Sequence, residues 1–161
     1  MSTPKVFLAT SEALPNLDQD EQDLPDALRE RGIEPVVAVW NDPGVNWGDA
    51  DLVVVRSVRD YAKNPKAFNA WAGSIPRIAN SASTMEWNMD KHYMQALEKL
   101  GLPVIPTTWL EPDQGLSKQQ IHSRFPSHGD FIIKPAVSSG GRGTGRYTST
   151  DAKSRSEAII H

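Results

Sequence analysis

Short apolar runs separated by polar, turn-rich stretches set the rhythm of this chain. Lys5 to Thr10 and Glu34 to Trp40 read as strands, and Asp51 to Ser57 holds the continuously apolar run Leu52-Val-Val-Val55 of a strand buried on both faces. Between the first two lies Leu17 to Gly32, whose mixture of acidic and apolar residues predicts a helix that ends with glycine at the C′ position. Asn41-Asp-Pro-Gly44 is strong turn chemistry, Pro65 to Ala72 predicts a second helix, and Arg77 to Asn80 a short strand. Strands alternating with helices argue for a small parallel sheet wrapped by helices.

The texture changes at Ser81. Asn88 is placed to cap a helix in which Met89, Tyr93, Leu97 and Leu100 recur at helical spacing, closed by Gly101 and Pro103. Val104 to Leu110 then predicts a strand, Lys118 to Arg124 a short helix, and His128-Gly129 a turn into Phe131-Ile-Ile-Lys134. Arg146 to Ser149 would return as the hairpin partner of that strand, and Ala152 to His161 reads as a closing helix. The later half is therefore expected to be a mixed α+β unit built around one hairpin.

The candidate chemistry sits inside that hairpin. Phe131-Ile-Ile-Lys-Pro135 runs directly into Ser138-Ser-Gly-Gly-Arg-Gly-Thr-Gly145, a loop with few side chains to pack and many backbone N–H groups to offer. In an extended strand Ile132 and Lys134 share one face, which sets an apolar surface beside a cation, as a base and its phosphates require. Pro135 biases Lys134 toward an extended conformation and ends the ladder where the loop begins. The alternative reading of Lys134 is a buried lysine snorkelling out of a sheet into water beside an exposed glycine turn. The loop is not a Walker A motif, because the lysine precedes the glycines, and the alternating Gly141, Gly143 and Gly145 miss the last spacing of a dinucleotide fingerprint. A glycine loop beside a strand lysine can instead close as a lid over phosphates.

Charge and composition remove other classes. With 161 residues and a formal net charge of −3, the chain has no global basic field for nucleic acid. No apolar run approaches the ~20 residues of a membrane span, and Met-Ser-Thr-Pro-Lys-Val lacks a basic segment followed by an apolar signal core. Cysteine is absent, so neither a disulfide framework nor a thiolate nucleophile is available. A soluble cytoplasmic protein is expected. His92, His122, His128 and His161 show no zinc spacing, and no G-x-S-x-G marks a hydrolase. The tryptophans at 40, 47, 71, 87 and 109 lack the spacing of a stacking platform, so packing is their expected role.

Lys91 near a helix start, the Phe-Ile-Ile-Lys-Pro strand and the loop from Ser138 to Gly145 together resemble the ATP-grasp superfamily. Within it the chain is most similar to glutathione-synthetase-like carboxylate–amine ligases, including cyclo-ligases of the cycloserine pathway. The resemblance implies an α/β fold: a Rossmann-like pre-ATP-grasp domain over residues 1–85, then the first α+β lobe of an ATP-grasp domain over 86–161, incomplete. It implies that Lys91 and Lys134 bind ATP phosphates, that Ile132 lines the adenine slot, and that Ser138, Ser139, Gly140, Gly141 and Gly143 belong to the lid. Family enzymes use ATP and Mg2+ to join a small carboxylic acid to an amine through an acyl phosphate. Their metal-binding Glu and Asn residues lie in a second lobe, and the only acids here after the loop are Asp151 and Glu157. The chain is therefore expected to be one wall of an ATP site, without metal ligands of its own and inactive alone.

Two further groups follow from the residues. Arg142 in the loop is a candidate catalytic group that touches phosphate or acyl phosphate, or else a solvated loop arginine. Arg56, Ser57, Asp60 and Tyr61 follow a buried strand, and the crevice beyond strand carboxyl ends is where open α/β sheets bind ligands, so they are the expected substrate contacts. Any of them also reads as a salt-bridged loop residue or a packed ring. A noncatalytic nucleotide- or anion-binding module, and an interaction protein with a plain glycine linker, are the other readings. A homo-oligomer is left open.

Overall fold

A computed structural model describes residues 3–160, and these divide into two compact units, the first ending at Asp90 and the second beginning at Lys91. Met1, Ser2 and His161 lie outside the described residues. The sequence boundary at 85/86 falls inside a helix of the first unit.

In the first unit β1 (Lys5–Thr10), β2 (Glu34–Val39), β3 (Leu52–Val55) and β4 (Ile78–Ala79) form one parallel sheet in the order β2-β1-β3-β4. β1 is central, and its alternation explains why. Val6 and Leu8 face one side, with Leu17 and the partly buried Leu24 and Leu28, while Phe7 and Ala9 face the other, with Trp40, Val53 and Phe68. The second side is dense in rings: Trp40, Trp47, Phe68 and Trp71 meet edge-on or tilted, with centroids 5.1 to 5.8 Å apart. Trp87, by contrast, is exposed.

α2 (Pro65–Ser74) forms as the sequence requires, with Pro65 in the first turn and the Asn64 side chain accepting from the Ala67 N–H. The helix predicted from Leu17 to Gly32 is much shorter. Leu17 sits at φ 68°, Gln19–Glu21 is a single 3-10 turn, and α1 covers only Leu24–Arg29. Pro25 is the reason, since without an N–H it fits only a first turn and cannot lie mid-helix. The glycine end holds: Gly32 at φ 71° donates to Arg29 O, and Ile33 to Leu28 O.

The single helix predicted around Asn88 is two. α3 (Ala82–Met89) is capped by Ser81, whose Oγ accepts from Thr84 N–H, and Asn88 lies in its last turn; α4 (Tyr93–Lys99) starts anew. Lys91 stands between them. The strand predicted over Val104 to Leu110 does not form: residues 102–110 take up no regular element and join no ladder among the described residues. Pro106 deletes a ladder donor at the middle of that run. α5 (Lys118–Ser123) opens with a capping box from Ser117 and Gln120, and α6 covers Ala152–Ile160.

β5 (Asp130–Ile133) and β6 (Gly145–Thr148) form the expected antiparallel hairpin, with Phe131 opposite Tyr147 and Ile132 opposite Arg146. Phe131 and Tyr147 turn inward beside Phe125, ring centroids 4.9 to 5.7 Å apart. Arg155 of α6 ties that layer to α5 by donating to His122 Nε2 at 2.9 Å. On the outer face the Asp130 carboxylate accepts from Arg146 Nη2 at 2.6 Å and from Thr148 Oγ1 at 2.9 Å. Those bonds, the arginine's first, hold the Asp130 carboxyl below its ordinary range. A lowered folded value gives stabilisation that is complete above the unfolded value and is lost as pH falls through the folded one. Wild type should therefore melt above Asp130→Asn at neutral pH, and the gap should close below the ordinary carboxylate range; a gap independent of pH would refute the pairing.

Candidate functional site

The glycine loop is built from its own backbone. Gly140, Gly141 and Gly143 occupy the left-handed region, at φ 61°, 71° and 62°, and two successive turns close through Arg142 N–H to Ser139 O and Thr144 N–H to Gly141 O. Side chains other than glycine rarely adopt those angles, which is why the loop is written in glycine. Two of the loop's own N–H groups are thereby taken by its carbonyls, and its glycine backbone leaves room for an anion to approach the rest. At Gly143 a Cβ would lie 2.9 Å from Pro135 Cγ, so the loop folds back onto the proline that ended β5.

Lys134, the residue after β5, is exposed and forms no hydrogen bond or ion pair among the described residues. The Arg142 side chain is likewise exposed and makes no hydrogen bond or ion pair among them. Ile132 lies on the outer strand face, 59% exposed. Lys91 is different. Its Nζ donates to Pro135 O at 2.9 Å, Ala136 O at 3.1 Å and Ser138 Oγ at 2.8 Å, and its N–H donates to Ala136 O at 3.0 Å. The structure thus brings Lys91 to the foot of the loop, directly beside the residue that follows Lys134.

A second cluster lies within the first unit. The chain lays β2 on one side of β1 and β3 on the other, so the direction of winding reverses between β1 and β3. That is the switch point at which open parallel sheets form a crevice. The loops there are stitched together: Ser11 Oγ donates to Ser57 O at 2.9 Å, and Ser57 Oγ accepts from Asp18 N–H at 2.8 Å and donates to Glu21 Oε2 at 2.5 Å. The other Glu21 oxygen receives Arg56 Nη2 at 2.7 Å, and Arg59 pairs with Asp18. Arg56 and Ser57 are therefore joined in one polar network.

Asp60 and Tyr61 are turned toward the core instead. Asp60 accepts from Trp40 Nε1 at 3.0 Å, and Tyr61 packs against Phe68 with burial raising its phenol pKa. Ser11, Asp18 and Glu21 escaped the sequence reading. Ser11 was within reach, because the same strand-end rule that selected Arg56 and Ser57 applies to the end of β1. No group of three or more His, Asp or Glu side chains suited to a metal ion occurs among the described residues, and none of their helices is long and apolar enough to cross a membrane.

Residues 6–82 match the family described as D-cycloserine synthetase DcsG, N-terminal domain. The cycloserine biosynthesis protein DcsG of Streptomyces lavendulae is 28% identical over 148 residues, which cover 89% of this chain and 50% of that protein. A crystal structure of D-cycloserine synthetase DcsG matches at a TM-score of 0.80 and 27% identity, covering 98% of this chain and 54% of that one. The chain is DcsG-like in sequence and in fold. It spans about half the length of these DcsG relatives. The family match lies within the first unit and contains the switch-point network, whereas the whole-chain likeness to DcsG takes in the hairpin and its glycine loop as well.

Proposed function

We propose that this chain serves an ATP-dependent carboxylate–amine ligase of the ATP-grasp type, in which the glycine loop and Lys134 hold the nucleotide's phosphates. The observation that carries the reading is an unengaged lysine at the mouth of a loop whose glycines stand in left-handed conformations. Lys134 supplies a point charge, the loop supplies N–H donors, and Arg142 is within the same loop to meet charge that develops on a transferred phosphoryl group. Ile132, exposed on the strand face that leads to Lys134, offers the adenine an apolar surface. Lys91 stands behind them on the carbonyls of Pro135 and Ala136.

The chemistry needs this arrangement because a carboxylate is a poor electrophile. A carboxylate oxygen attacks the γ-phosphorus and ADP leaves; an amine then attacks the acyl carbon and inorganic phosphate leaves. In the first unit, Arg56, Ser57 and the crevice between β1 and β3 are the proposed acid- or amine-binding region, with Asp60 and Tyr61 as its packed rear. Such an enzyme also employs Mg2+, but the described residues gather no carboxylate set that fits it, and no step is assigned to the metal here. A DcsG-like role, forming an amide-type bond within one small molecule or between two, accords with the likeness to D-cycloserine synthetase.

Trapping tests the reading. The intact protein, given ATP, a panel of small carboxylic acids and hydroxylamine, should release ADP and form a hydroxamate with at least one acid. ADP release that no acid accelerates, with no hydroxamate formed, would contradict the ligase reading and leave a binding module.

A further inference from the structure

The outer face of the β5–β6 hairpin carries Asp130, Ile132, Arg146 and Thr148, because residues two apart on a strand share a side and the ladder sets Ile132 opposite Arg146 and Asp130 opposite Thr148. The Arg146 guanidinium is held along one edge. Its Nε and Nη2 donate to Asp130 Oδ2 at 3.2 and 2.6 Å, while the other carboxylate oxygen accepts from Thr148 Oγ1 at 2.9 Å. Even so, 75% of the arginine side chain meets solvent. Ile132, its cross-strand neighbour, is 59% exposed. An ion pair this open to water adds at most modest stability, so stability alone is a weak account of an arginine fixed by both a carboxylate and a hydroxyl beside an uncovered isoleucine.

We infer that Arg146 joins Ile132 in a platform for the nucleotide's base, the flat heteroaromatic ring lying across the isoleucine and against the guanidinium plane. Distance along the strand supports it. At about 3.3 Å per residue, the Asp130 anchor and Lys134 stand roughly 13 Å apart on one face, the reach of an extended nucleoside triphosphate. With phosphates at the Lys134 end, the base falls on Ile132 and Arg146. Shape supports it as well, since a planar guanidinium stacks on aromatic faces and is weakly hydrated, whereas an ammonium is a compact and strongly hydrated point charge. Asp130 and Thr148 restrict the arginine before any base arrives, so less side-chain freedom is lost on stacking.

The platform rests on the nucleotide reading given above, and a comparison of ATP with inorganic tripolyphosphate, which has no base, separates the two. Calorimetric titrations of the intact protein give the ratio of the two affinities, in which the effect of charge alone cancels. Arg146→Lys keeps the charge and loses the plane, so it should lower that ratio about fivefold or more, and Arg146→Ala and Ile132→Ala should do the same. Tripolyphosphate binding retained in each variant certifies its fold. Lys134→Ala should weaken both ligands and leave the ratio as in wild type. A wild-type ratio in either Arg146 variant would overturn the platform while the phosphate site stands. So would a wild-type protein that binds tripolyphosphate as tightly as ATP. A wild type that binds neither would end the nucleotide reading, and the platform with it.

Discussion

Replacing Lys134 with alanine should weaken ATP binding by about ten- to a hundredfold and leave the fold intact. The range follows from a charge-assisted contact to phosphate, worth ~1.5–3 kcal/mol, against roughly 1.4 kcal/mol per tenfold change in affinity. The fold should be indifferent because Lys134 is exposed and makes no hydrogen bond or ion pair among the described residues. Calorimetric titration of wild type and Lys134→Ala, with a thermal melt of each, measures both halves. Unchanged affinity would show that the lysine faces solvent and that the loop binds something else or nothing.

Phe68→Ala should have the largest effect on stability, about 3–5 kcal/mol, the usual cost of removing a buried aromatic ring. Phe68 is 3% exposed and touches Trp40, Trp71 and Tyr61, with ring centroids 5.4 to 5.7 Å away. The consequence reaches beyond the core. Trp40 is the donor that holds Asp60, so loss of the ring loosens the floor beneath the switch-point network as well. Urea unfolding followed by tryptophan fluorescence reads this directly, since Trp40, Trp47 and Trp71 lie in the affected cluster. A midpoint within error of wild type would mean that the ring cluster is not the core of the first unit.

The strands of the sheet were legible because each is a compact apolar run, and β1, β2 and β3 fall where those runs do. The stretch from Leu17 to Gly32 has the composition of one helix, but Pro25 is a single residue whose missing N–H decides where α1 can start. Val104 to Leu110 has strand-like residues but no ladder among the described residues, a condition that pattern cannot report, because pairing belongs to two segments and not to one. The site divides in the same way. Lys134 and the glycine loop are adjacent in sequence, so their chemistry could be read from one stretch. The Glu21 bridge to Arg56 and Ser57, and the hold of Lys91 on Pro135 and Ser138, join residues far apart in the chain, and only the folded units reveal them.

The central claim is that the loop of Gly140, Gly141 and Gly143 receives phosphate beside Lys134. Backbone amide resonances followed during an ATP titration of the intact protein test it most directly. The account predicts saturable shifts at Ile132, Lys134 and residues 138–145, with ADP giving smaller shifts in the loop and adenosine shifting Ile132 but little of the loop. Shifts that appear elsewhere and spare the loop, or none at millimolar ATP, would contradict it.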